Sequence, residues 1–104
     1  ALPEAEVHGQ LRLFMAPGMQ HCAGGEGPSE FDTLGVIDAW ATSGKAPGRI
    51  IATRPTEVPA LPGFPPEPDR EEMSRPLCPY PLFPAYSGEG DTRLAENFTC
   101  KMPE

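Results

Sequence analysis

Ten of the chain's fifteen prolines fall between residues 55 and 84. Proline holds φ near about −65° and has no backbone N–H, so it is excluded from helix interiors and from hydrogen-bonded sheet ladders. That density predicts an irregular, extended segment over residues 54–84, laid across another surface. With eleven glycines added, Gly and Pro make a quarter of the 104 residues. At that share irregular structure or disorder becomes the default expectation. Eight aromatics stand against disorder: Phe14, Phe31, Trp40, Phe64, Tyr80, Phe83, Tyr86 and Phe98. A solvated tail does not carry so many. One helix and one or two strands offer little surface to cover them, so the chain is expected to pack against a body beyond these residues.

The formal charge is −7, without a cluster of Lys or Arg. Phosphate binding needs a basic patch, so a nucleic-acid partner is not expected. No apolar run approaches the length of a membrane-spanning helix, and no membrane partner is expected.

Outside the Pro-rich stretch the pattern is more regular. Residues 1–10 form a polar lead-in with no clear periodicity. Leu11-Arg12-Leu13-Phe14-Met15 is a short apolar run stopped by Pro17-Gly18, which reads as a strand. Residues 22–29 form a glycine-rich loop. A helix then opens at Ser29 as N-cap, with Asp32 three residues on, close to a capping-box arrangement. Phe31, Leu34, Ile37 and Ala41 keep helical spacing, and Phe31 and Trp40 read as helix core. Gly44 ends the helix, and Lys45 sits at its negative end. Residues 49–53, Arg-Ile-Ile-Ala-Thr, read as a second strand. Residues 92–98 read as one or two helical turns.

The cysteines are Cys22, Cys78 and Cys100. A bridge between the last two would restrict the unfolded chain by roughly 3 kcal/mol in the loop-entropy picture. Disulfides belong to oxidising compartments. Three cysteines leave one without an internal partner, which means a partner elsewhere or a free thiol. By this reading Cys22 is the odd one.

His21 follows the apolar run and its Pro-Gly turn. An imidazole takes and returns a proton near neutral pH, and a base for acyl transfer must stand on a defined loop facing its nucleophile. A turn after a buried strand supplies that placement, although a lone histidine there also reads as a plain surface residue. His8, in the polar lead-in, receives no role. Adjacent His21 and Cys22 are poorly spaced to share one zinc, and no metal or cofactor site is expected. Gly24, Gly25 and Gly27 lack the Gly-Lys-Ser/Thr of a phosphate loop. Ser29, Ser43, Ser74 and Ser87 all lie outside a Gly-x-Ser-x-Gly elbow. Glu4 and Glu6 stand too close before the apolar run to be the acid of a hydrolase triad. In α/β-hydrolases the triad runs Ser, Asp or Glu, then His. A histidine this near the start places the other two upstream of the chain.

Phe14-Met15-x-Pro17-Gly18-Met19-x-His21-Cys22-x-Gly24-Gly25-x-Gly27-Pro28 is similar to the C-terminal part of the tannase and feruloyl esterase family. So are Trp40-x-x-x-Gly44-Lys45-Ala46-Pro47, Arg75-Pro76-Leu77-Cys78-Pro79-Tyr80-Pro81 and Asn97-Phe98-Thr99-Cys100. The resemblance runs through residues 11–100. It implies an α/β fold in which residues 1–104 are the C-terminal portion of one α/β-hydrolase domain: last strands, one helix and a long Pro-rich irregular tail. It implies a secreted or periplasmic serine esterase acting on esters of aromatic acids. His21 would be the triad histidine. Cys22 would bridge to a cysteine outside the chain, beside the nucleophilic serine, and Cys78 would bridge to Cys100. The partner would be the upstream part of the same enzyme, holding nucleophile, acid and lid. The competing expectation is a small secreted, disulfide-stapled binding module without catalysis.

Overall fold

A computed structural model describes residues 3–21, 24–56, 62–63 and 71–104. Cys22, Phe64 and four prolines of the central stretch, Pro59, Pro65, Pro66 and Pro68, lie outside the described residues. The described chain forms helix α1 (Glu4–Gln10), helix α2 (Thr33–Ser43) and strands β1 (Ile50–Arg54), β2 (Met73–Leu77) and β3 (Phe83–Tyr86). A 3-10 turn (Ala95–Asn97) then leads into β4 (Phe98–Lys101). β1 pairs antiparallel with β2, and β3 antiparallel with β4. No helix among the described residues is long and apolar enough to cross a membrane.

One strand lies inside the segment expected to be irregular and another begins in it, and each contains a proline. Hydrogen-bond parity explains both. The Ser74 N–H donates to Arg93 O, away from β1. Two residues on, Pro76 turns its nitrogen the same way, opposite Ile51. Its missing N–H therefore breaks no bond between β1 and β2. In the other sheet the Ser87 N–H donates to Asn97 O just past the strand ends. Alternation then gives the bonded positions to Ala85–Thr99 and Phe83–Lys101. Pro84, opposite Cys100, takes a non-bonded position. Proline counts against a strand only when its nitrogen faces the partner.

Three further expectations are corrected. Residues 4–10 form α1 and not an unpatterned lead-in, so the described residues hold two α-helices. Pro3 precedes the helix, Glu4 and Glu6 favour its positive end, and the Leu11 N–H closes it on Val7 O at 2.8 Å. Arg12 fastens the helix end, donating from Nε to His8 O and from Nη1 to Pro47 O. Residues 11–15 do not form a strand. They run extended with one bridge, Phe14 to Pro79, and the Tyr80 N–H donates to Leu13 O at 2.7 Å. The N-cap of α2 is Asp32, whose carboxylate accepts from the Gly35 N–H at 2.9 Å. Ser29 is instead held by its own N–H on Thr53 O. The foreseen end holds: Gly44 caps α2 at φ 74° with its N–H on Trp40 O.

Burial is concentrated in one place. Pro76, Leu77 and Cys78 are buried beside Ala52 and Ala95. A disulfide joins Cys78 to Cys100. Around it the Ala95 N–H donates to Ser74 Oγ, Arg75 lies 3.9 Å over the Phe98 ring, and Tyr86 packs against Phe98 at 5.5 Å.

Elsewhere apolar side chains face outward. α2 has no buried residue; Leu34 is 80% and Ile37 56% exposed. Phe31 and Trp40, read from sequence as helix core, are half-exposed. No second layer among the described residues covers that face. The accessible surface is 7415 Å², against about 5,700 Å² for a compact monomer of 11.2 kDa. The excess, on the order of 1,700 Å², is the size of a sizeable interface.

Candidate functional site

His21 sits exposed at the turn of a closed loop. Before it, Pro17 and Gly18 make the turn foreseen from the sequence. Met19 then bridges to Gly25, the Gln20 N–H donates to Gly24 O at 3.0 Å, and the Gly27 N–H donates to Gly18 O at 3.0 Å. The loop is thus a narrow hairpin with His21 near its tip. Gly25 is required for this closure: its φ is 98°, and a Cβ there would strike the Gly18 carbonyl oxygen.

The loop is tied by backbone bonds to β1 and to the segment just past β2. Upstream, Phe14 bridges to Pro79, the residue after the disulfide-bonded Cys78. Downstream, the Glu30 N–H donates to Thr53 O and the Thr53 N–H returns to Glu30 O at 2.8 Å. The imidazole is therefore carried on a span between one anchor on β1 and another just past β2. Such a mount fixes direction while leaving the side chain open to reactants. These anchors escaped sequence reading because backbone hydrogen bonds have no residue-type signature.

Other candidate residues fall away from His21. The hydroxyls of Ser43 and Ser87 accept local backbone N–H bonds, from Lys45 and Glu89, and the Ser74 hydroxyl accepts from the distant Ala95 N–H. The first two serve turns, and the third ties β2 to the 3-10 turn. His8 lies on α1, 3.5 Å from Glu4 one helical turn away. Cys22 lies outside the described residues. An apolar groove of about 280 Å³ runs under the loop, between Met15, Pro17 and Pro28 on one side and Leu77, Tyr80 and Phe83 on the other.

Comparison with known proteins follows this geometry. The family model described as tannase and feruloyl esterase matches residues 2–101. The chain is 43% identical over 103 residues to a mono(2-hydroxyethyl) terephthalate hydrolase of Piscinibacter sakaiensis, covering 99% of this chain and 15% of that protein. It is 38% identical over 98 residues to a probable feruloyl esterase of Arthroderma benhamiae, covering 92% of this chain and 16% of that protein. The crystal structure of an esterase from Aspergillus oryzae superposes with a TM-score of 0.70 at 25% identity, over 96% of this chain and 21% of that one. The fold is thus a mixed helix-and-strand arrangement matching part of an esterase. The chain spans about a sixth of the length of these curated relatives.

Proposed function

The chain belongs to the tannase and feruloyl esterase family, and from that premise we propose that it is the histidine-bearing part of a carboxylic ester hydrolase. The observation that carries the reading is His21, exposed on a loop that is closed on itself and anchored to β1 and to the segment just past β2. In this mechanism the His21 imidazole takes the proton of a serine hydroxyl as that oxygen attacks the ester carbonyl. It then returns the proton to the leaving alcohol, and the cycle repeats with water. The serine and the carboxylate that orients the imidazole come from residues outside these 104. Cys22 bridges to a cysteine beside that serine, holding base and nucleophile in register.

The substrate class is an ester of an aromatic acid. The names of two relatives, one of a terephthalate ester and one of a feruloyl ester, support it. An extracytoplasmic location follows from the Cys78–Cys100 disulfide, which persists where conditions are oxidising. The excess surface and outward apolar face of α2 favour a chain built into a larger body over a free-standing binding module.

The test is His21→Ala in the intact protein, assayed on an aryl ester such as a hydroxycinnamate methyl ester. Loss of the triad base is expected to lower kcat on the order of 10⁶-fold with KM little changed. Wild-type turnover by the variant would refute the role. The Cys22 link is read separately from the disulfide-bonded peptides of a non-reduced digest.

A further inference from the structure

We propose that Arg54 is the positioning residue that fixes the loop presenting His21, an inference that rests on the role given to His21 above. Arg54 ends β1. Its Nε and Nη2 donate to the Glu71 carbonyl at 3.1 and 2.9 Å, and its Nη1 donates to the Glu26 carbonyl at 2.9 Å. One side chain thus joins the approach to β2, the end of β1 and the histidine loop.

The fork makes this a directed contact. A guanidinium is planar, with its donors at fixed angles. Two donors engaged on Glu71 therefore determine where the third points, and it points at the loop.

The peptide it meets is the loop's own closure. The Glu26 carbonyl belongs to the same peptide unit as the Gly27 N–H, which donates to Gly18 O and shuts the hairpin around His21. That peptide is held at both ends. A cationic donor on its carbonyl also polarises the unit and strengthens its N–H as a donor. The other ties lie outside the closure, at residues 13–14 and 29–30, so they fix where the loop begins and ends. Arg54 acts on the closure itself. No sequence motif announces this, since a single arginine before Pro55 carries no periodicity.

The catalytic consequence is specific. An imidazole displaced by an ångström from its nucleophile loses rate without losing ground-state binding of the ester. The experiment uses the intact protein with Arg54→Met, which keeps the apolar stem, and Arg54→Lys, which keeps the charge as a single point donor. Arg75→Met is the control, because it removes a comparable bond, Arg75 Nη1 to Thr92 O, in which no loop residue takes part. Two readouts are taken: deuterium exchange of peptides covering residues 18–27, and kcat and KM on an aryl ester below each variant's unfolding transition.

Arg54→Met is expected to speed exchange in the loop about tenfold and to lower kcat about tenfold, with KM held within about twofold. Arg54→Lys should recover part of both, and Arg75→Met should move neither. The inference is overturned if Arg54→Met keeps wild-type kcat, leaves loop exchange unchanged, or lowers kcat no more than Arg75→Met does. Its failure is separable from that of the parent reading. His21→Ala inactive with Arg54→Met normal defeats only the positioning role, whereas His21→Ala active defeats the base itself.

Discussion

The region around β2, β3 and β4 and the region around α2 have opposite economies of burial. The first closes a disulfide, buries Pro76, Leu77 and Cys78, and stacks Arg75, Phe98 and Tyr86 over one another. Its turns are knitted by side chains, with Tyr86 OH on Gly90 O and Asn97 Nδ2 on Asp91 O. The second buries no residue of α2 and turns Leu34 and Ile37 outward. What shape α2 has, it owes to its caps: the Asp32 carboxylate at one end and Gly44 at the other. The contrast teaches that a chain can be internally stapled in one half and dependent on external cover in the other. His21 lies between the two, on a loop tied to β1 and to the segment just past β2.

The largest expected effect tests the stapled half. In the 104-residue chain, Cys78→Ala with Cys100→Ala should lower the opening free energy of amides in β2–β4 by about 3 kcal/mol, or unfold the region outright. Exchange in α2 should change less than about twofold, because α2 shares no buried core with that region. Equal acceleration in both halves would erase the distinction.

A smaller effect tests the uncovered half. Leu34→Ala in the same chain should shift the stability of α2 by less than about 0.5 kcal/mol, since the side chain is exposed. The same substitution in the intact protein should cost about 2–5 kcal/mol if another layer covers it. Urea titrations of chain and intact protein give the two numbers, and equal values in both would mean that α2 never gains cover.

The smallest effect is electrostatic. Asp91 is held below its ordinary carboxylate range, first by the Arg93 side chain and then by the Arg93 backbone N–H. Its folded pKa is depressed, so its contribution is present above the ordinary value near about 4 and is lost as pH falls through the lower folded value. Because the carboxylate is fully exposed, salt screens the pair. A carboxylate titration followed by NMR should show Asp91 protonating below the ordinary aspartate range, and Asp91→Asn should remove that late acid step. Protonation within the ordinary range would contradict the pairing.

Several parts of the fold were legible because their signals are local. Gly44 ends α2 through a backbone conformation that glycine adopts freely. The short run Arg-Ile-Ile-Ala-Thr marked β1, and Pro17-Gly18 with the following glycines marked a tight loop around His21. The start of α2 was misread by three residues, because Ser29 and Asp32 both suit a cap and the choice depends on Thr53 occupying the Ser29 N–H. α1 went unread because seven residues are too few to display a helical period.

What the sequence determined by itself is therefore family membership, the histidine's loop, the presence of β1 and the Gly44 end of α2, since each rests on residue type at fixed local spacing. Tertiary structure decided the rest. Pro76 and Pro84 became strand residues because pairing turned their nitrogens off the ladder, a parity that exists only once a partner strand is chosen. Arg54 reached the Glu26 carbonyl only because β1 runs beside the loop. Hydrogen bonds between distant segments depend on where the backbone has come to lie, and no local pattern of side chains encodes that position.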